Sequence, residues 1–238
     1  MEDEFKNPKQ LLDFVLTECS GIKYILEPRY EKELTITITK DSSFNMERIF
    51  FADTLLKQKF PGLHISVLKL NNIDIDEIED FLSKMSITKL DVSNNQRLKE
   101  LPTLPDTLIF LIANNCSLKE LPNLPDTLEK IHCQRNNLKE LPPLPESLEI
   151  LYCQYNQIEE LPNLPDSIFS LDISHNKIEK IDKLPEILDV FDFSFNNVST
   201  ISIDLINRSK NMRLFDSSNN PGSPFLISTW KSKLGFKR

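Results

Sequence analysis

Thiolates, imidazoles and carboxylates are the usual makings of a catalytic site, so the first matter is whether this chain spaces them to work together. Its four cysteines are Cys19, Cys116, Cys133 and Cys153, and none lies in a Cys-x-x-Cys pair. A thiol nucleophile needs a base and a polarised pocket, yet Cys116, Cys133 and Cys153 recur where a twenty-residue period assigns a buried interior or a turn. His132 and His175 stand 43 residues apart, at different positions of that period. No His-Glu-x-x-His, Gly-x-Ser-x-Gly or Gly-x-x-x-x-Gly-Lys-Ser/Thr motif occurs. The expectation is a chain that is not an enzyme and uses no cofactor or metal. Cys133 and Cys153 occupy equivalent inward positions of adjacent repeats and could approach one another; small core hydrophobes in a reducing compartment is the preferred reading over a disulfide or metal site.

What the spacing does support is recognition chemistry, and the period explains where its residues stand. Segments beginning at Leu108, Leu128, Leu148, Ile168 and Leu188 share L-x-x-L-x-L-x-x-N/C-x-L, followed by K/E-x-L-P-x-L-P-D/E. Leu111, Ile131, Leu151, Leu171 and Phe191 are each 20 residues apart, as are Leu101, Leu121, Leu141, Leu161 and Ile181. A fixed period of this length and pattern is the signature of a leucine-rich-repeat solenoid. The expected fold is an α/β solenoid: a horseshoe with a curved parallel sheet, helices outside the early repeats and extended, polyproline-like segments outside the later ones. Parallel strands about 4.8 Å apart would stack equivalent leucines into ladders that fill a core no single repeat could close. Asn95, Asn136, Asn156 and Asn176 fall where the chain leaves each strand, so their amides can satisfy turn backbone groups; Cys116 stands in for Asn in its repeat.

Because side chains alternate along a strand, the residues flanking the inward leucines form columns on the concave face. The first column reads Lys89, Phe110, Lys130, Ile150, Ser170, Val190, and the second Asp91, Ile112, His132, Tyr152, Asp172, Asp192. A third holds Ser93, Asn114, Gln134, Gln154, Ser174 and Ser194, beside a turn edge of Asn94, Asn115, Arg135, Tyr155, His175 and Phe195. The candidate partner-binding residues are Phe110, Ile112, Lys130, His132, Arg135, Ile150, Tyr152 and Tyr155, with Asp172 and Asp192 in an acidic stripe that continues to Asp216. Aromatic anchors beside cationic groups are typical of interface centres. The competing reading is that Ile112, Tyr152 and their neighbours pack laterally on an exposed sheet, and that the acidic stripe is a solvated face.

Other elements must hold this array in place. Residues 8–19 read as a capping helix, with Asn7 as cap, Pro8 in the first helical position and Leu12, Val15, Leu16 and Cys19 at helical spacing. After a loop through Pro28, the run 34–39 alternates as a strand; a helix at 43–59, a strand at 65–70 and a second helix at about 75–85 follow. The doubled prolines of L-P-x-L-P forbid a helix in the short repeats, and Asp106, Asp126, Glu146, Asp166 and Glu186 mark turns after the second proline. The tail Phe225–Trp230, with Leu234 and Phe236, reads as a C-terminal lid in which Trp230 caps rather than binds. The organisation expected is a helical cap over 1–30, the repeat array over 31–220 and a cap or tail over 221–238.

Net charge of -8 and a pI near 5.1 argue against wholesale binding of nucleic acid or anionic membrane. No apolar run reaches the ~18 residues of a membrane span, and MEDEFKNPKQ lacks the basic-then-apolar layout of a secretory signal. A cytoplasmic, monomeric protein is expected.

The short repeat, as in Leu121-Pro-Asn-Leu-Pro-Asp-Thr-Leu and Leu141-Pro-Pro-Leu-Pro-Glu-Ser-Leu, resembles the repeat class of the IpaH/SspH/YopM-type bacterial effectors over about residues 87–200. Similar repeats occur in intracellular parasites of amoebae and in large DNA viruses. The resemblance implies a horseshoe that grips host proteins inside a host cell, reached without a cleaved signal peptide. Many such effectors carry a C-terminal ubiquitin-ligase domain with a nucleophilic Cys, and no such domain is expected in this chain. The expected function is a protein-interaction module that binds a partner protein on its concave face, a host protein as the resemblance implies. The alternatives are the substrate-recognition part of a ubiquitin ligase whose catalytic domain is missing or separate, and a glycan or small-ligand receptor.

Overall fold

The computed structural model describes residues 6–16, 22–26, 33–39, 46–201 and 212–221. Cys19 and the tail containing Phe225, Trp230, Leu234 and Phe236 lie outside these.

Helix α1 (Pro8–Leu16) starts as its sequence dictates: the Gln10 backbone N–H donates to Asn7 Oδ1 at 3.0 Å, and Pro8 loses no hydrogen bond in the first turn. It buries Leu11, Leu12, Val15 and Leu16 and packs on α2 (Met46–Lys59). Helix α2 faces the sheet with Met46, Ile49, Ala52, Asp53 and Leu56. Asp53 is a buried carboxylate held from two sides: Lys57 Nζ lies 2.7 Å from Oδ2, and the Ile65 N–H donates to Oδ1 at 2.7 Å. The helix is thereby pinned to the start of β3 (His64–Lys69).

Among the described residues the sheet has ten strands. β1 (Ile22–Leu26) pairs antiparallel with β2 (Glu33–Ile38), and from β2 onward every strand is parallel to the last: β3, β4 (Lys89–Asp91), β5 (Phe110–Ile112), β6 (Lys130–His132), β7 (Ile150–Tyr152), β8 (Ser170–Asp172), β10 (Val190–Asp192) and β12 (Leu214–Asp216). β1 was not expected from the sequence. Its run Ile-Lys-Tyr-Ile-Leu lacks a clean two-residue alternation, and its partner lies across the segment around Pro28. A second correction concerns residues 75–85. The expected helix is a single 3-10 helix at Asp80–Lys84. The physical reason is length: Ile36 and Leu68 are 32 residues apart and leave room for α2, whereas Leu68 and Leu90 are only 22 apart. The apolar residues Ile78, Leu82 and Met85 are buried all the same.

Leu90, Leu111, Ile131, Leu151, Leu171 and Phe191 form one inward ladder without exposed area, each contributing about 1.5–3 kcal/mol by burial. The next inward ladder runs Ala113, Cys133, Cys153, Ile173, Phe193, growing in size along the array, so the two cysteines fill places where small side chains fit. The L-P-x-L-P segments are neither helix nor strand, and each ends in a turn whose N–H returns to the second proline, as from Leu108 to Pro105 at 3.0 Å and from Leu148 to Pro145 at 3.0 Å. In the repeat where Asp182 stands in place of the first proline of that motif, β9 (Lys180–Ile181) and β11 (Thr200–Ile201) form a separate two-stranded parallel sheet. A hydroxyl ladder, not foreseen, ties the turns together: Thr107, Thr127, Ser147 and Ser167 donate to the carbonyls of Ile87, Leu108, Leu128 and Leu148.

The asparagines act as the sequence suggested. Asn136 Nδ2 donates to Ala113 O at 2.8 Å and Cys133 O at 2.9 Å, while its Oδ1 accepts the Leu118 N–H at 3.1 Å. Asn95, Asn156 and Asn176 repeat the arrangement, and Asn196 and Asn220 extend it. Cys116 supplies only the donor half, to Val92 O at 3.3 Å; the Leu98 N–H that an asparagine would have accepted turns instead to Asn95 O at 3.0 Å. Asn136→Leu is expected to cost about 1–3 kcal/mol in urea unfolding, because it leaves buried backbone groups unpaired. Asn136→Cys, which keeps a donor, is expected to cost less.

Candidate protein-interaction surface

The parallel register fixes which side chains share the concave face. Lys89, Phe110, Lys130, Ile150, Ser170 and Val190 are paired in one row across the strands, and Asp91, Ile112, His132, Tyr152, Asp172, Asp192 and Asp216 in a second. Phe110, Ile112, Lys130, His132, Ile150, Tyr152, Asp172 and Asp192 are half-buried, and Arg135 and Tyr155 are exposed. None of the ten lies in the core.

Side-chain packing joins them into two rows of rings. In the first, Lys89 Nζ sits 4.7 Å over the Phe110 ring, Phe110 meets His132 edge-on at 4.9 Å, and His132 stacks on Tyr152 at 4.9 Å. The Tyr152 hydroxyl closes this row against Ser170 Oγ at 2.9 Å. The second row runs along the turn edge: the Arg135 guanidinium lies 4.4 Å from the Tyr155 ring, Tyr155 stacks on His175 at 4.1 Å, and His175 on Phe195 at 4.2 Å. His175 and Phe195 were in the turn-edge column read from the sequence but not among its candidate site residues; Lys89 and Ser170 likewise join the central row. The twenty-residue spacing of three rings at 155, 175 and 195 was the available signal.

The turn edge has a second property. Asn94, Asn115, Arg135, Tyr155, His175, Phe195 and Asn219 all adopt left-handed backbone, with φ between 52° and 61°. In all of these but Asn219 the N–H is given to a carbonyl of the next repeat, as from Arg135 to Gln154 O at 2.9 Å and from Tyr155 to Ser174 O at 3.1 Å. Asn tolerates it readily, but Tyr and Phe do so at a cost on the order of 1 kcal/mol.

The acidic stripe is built into the strand ends. Asp91, Asp172, Asp192 and Asp216 each accept the backbone N–H of the residue two further on, at 2.8–3.0 Å, through Oδ1. Burial, with Asp192 nearby, raises the Asp172 carboxyl above its usual range against the opposing hydrogen bonds of Ser174. The thiols offer little reactivity: burial pushes Cys133 up to about 12 and Cys153 well above its ordinary value, and it raises Cys116 as well. Among the described residues no group of three or more His, Cys, Asp or Glu side chains could hold a metal ion, and no helix is long and apolar enough to cross a membrane. A polar cleft of about 530 Å³ opens near the first repeats, lined by Asn71, Asn72, Asp74, Asn94, Gln96 and Asn115.

His132 gives the central row a measurable handle. Burial chiefly, with Lys89 and Lys130 beside it, holds the imidazole below its ordinary value of 6.5. A depressed folded value means that this histidine's contribution to stability is complete above pH 6.5 and is lost as pH falls toward the folded value. An NMR titration is expected to place His132 below 6.5, with Lys130→Gln moving it upward.

No protein-family model matches the sequence, and no curated protein matches it. Solved structures do. The leucine-rich-repeat domain of a Shigella effector aligns with a TM-score of 0.61 at 32% identity, over 69% of this chain and 73% of that one. YopM from Yersinia enterocolitica WA-314 aligns with a TM-score of 0.61 at 30% identity, over 68% of this chain; the match spans only 34% of YopM.

Proposed function

Since this chain belongs to the leucine-rich-repeat proteins, in the short-repeat class of those bacterial effector domains, we propose that it is an interaction module that holds a partner protein on its concave face. The observation that carries this reading is the central row of rings. Phe110, His132 and Tyr152 pack against one another yet stay half-exposed, flanked by Ile112, Ile150, Lys130 and Arg135. Rings that support their neighbours laterally are also rigid, so little side-chain entropy is lost when a partner covers them. The partner assigned is a host protein, and the compartment the interior of a host cell, by analogy with the effectors; the reading gives this chain no catalytic step.

Phe110→Ala combined with Tyr152→Ala is expected to weaken partner binding by about 2 kcal/mol or more, roughly 30-fold, as for interface centres. The fold should persist with a loss no larger than the about 0.5–1.5 kcal/mol that each ring contact supplies. Quantitative capture from host cytosolic extract, with circular dichroism on both proteins, checks this. An unchanged set of captured proteins would remove the reading.

A further inference from the structure

We propose that the C-terminal half of the concave face docks an extended, arginine-bearing segment of the partner protein. This rests on the reading of that face as a protein-binding surface and names what this part of it takes.

Two rails run side by side here. One is the ring stack of Tyr155, His175 and Phe195, nearly parallel at 11° and 10°, with Tyr155 42% and Phe195 47% exposed. The other is the carboxylate column Asp172, Asp192, Asp216, held in strict parallel register. Each of these aspartates commits only Oδ1 to its own strand end, and among the described residues no lysine or arginine pairs with any of them. At the sheet spacing of about 4.8 Å, the three carboxylates form one continuous anionic column along the face.

The molecule itself shows how the stack takes a cation. Arg135 closes the Tyr155 end with its guanidinium 4.4 Å from the ring, while the Phe195 end carries no cation over it among the described residues. Phe195 is also the ring that shares its repeat with Asp192 and borders the repeat of Asp216. A planar guanidinium can lie against a ring and fork onto carboxylates, which a compact, strongly hydrated ammonium does less well. The partner chemistry selected is therefore arginine, presented by an extended chain running along the columns. The opposite half of the face, with Lys89, Lys130 and Arg135, would repel it, which sets the position of the segment.

The test is fluorescence anisotropy on the full chain at about 0.15 M ionic strength, with labelled eight-residue peptides alternating glycine with arginine, lysine or glutamate. The arginine peptide is expected to bind, the lysine peptide more weakly and the glutamate peptide not at all. Asp172→Asn, Asp192→Asn and Asp216→Asn together should weaken arginine-peptide binding by about tenfold or more while keeping each Oδ1 acceptor and hence the melting temperature. Phe195→Asn, which suits the left-handed backbone, should erase the preference for arginine over lysine. Glu140→Gln, Glu160→Gln and Glu179→Gln, an equal change of charge off this face, should leave affinity unchanged. Equal loss in that control, undiminished binding in the triple aspartate variant, or a preference for arginine that survives Phe195→Asn would each overturn the proposal. Partner loss on changing Phe110 and Tyr152 decides the broader reading separately, so the two can fail independently.

Discussion

A repeat of twenty residues is too short to satisfy its own backbone, and the structure depends on how that deficit is met. Each turn out of a strand leaves carbonyls and N–H groups beneath the surface, where unpaired they would cost about 1–3 kcal/mol apiece. One asparagine per repeat reaches both ways: Asn156 donates to Cys133 O and Cys153 O and accepts from the Leu138 N–H, so it joins its own repeat to the one before. The same side chain therefore sets the stacking distance and the register. Parallel pairing without slippage, from β3 through β12, follows from that repeated clamp together with the leucine ladders.

Register is also what turns a sequence into a surface. A strand paired one residue out of step would present its leucines to solvent and bury Lys130, His132 and Tyr152. Held in step, the array lays Lys89, Lys130 and Arg135 in one half of the inner curve and Asp172, Asp192 and Asp216 in the other, with rings in both. The rings stabilise the sheet laterally and remain open to contact, so structural packing and recognition are not exclusive roles here. The left-handed turn edge adds a further constraint: it projects Arg135, Tyr155, His175 and Phe195 from consecutive repeats, and the neighbouring rings of Tyr155, His175 and Phe195 stack within 11° of parallel.

Much of this was legible from spacing alone. The twenty-residue period dictated the inward ladders, the extended proline segments, the asparagine positions and the columns containing Phe110 and Tyr152, because burial alternation and ring geometry of proline leave few options. Less legible was β1, whose existence depends on an antiparallel neighbour rather than on its own pattern. The segment 75–85 misled because apolar residues at three- and four-residue spacing suit a 3-10 turn as well as a longer helix, and only the distance between Leu68 and Leu90 decides. Ring stacking was hidden because it depends on side-chain torsions and on left-handed backbone at Tyr155 and Phe195, residue types that do not advertise it.

The most direct measurement is native-state alkylation of single substitutions across one central strand, read by mass spectrometry of each peptide. Ile150→Cys and Tyr152→Cys should react readily, whereas Leu151→Cys and the native Cys133 and Cys153 should stay protected until the chain unfolds. Reaction of Leu151→Cys as fast as Tyr152→Cys, or ready labelling of Cys153 in the native protein, would contradict the assignment of inner-curve and core positions.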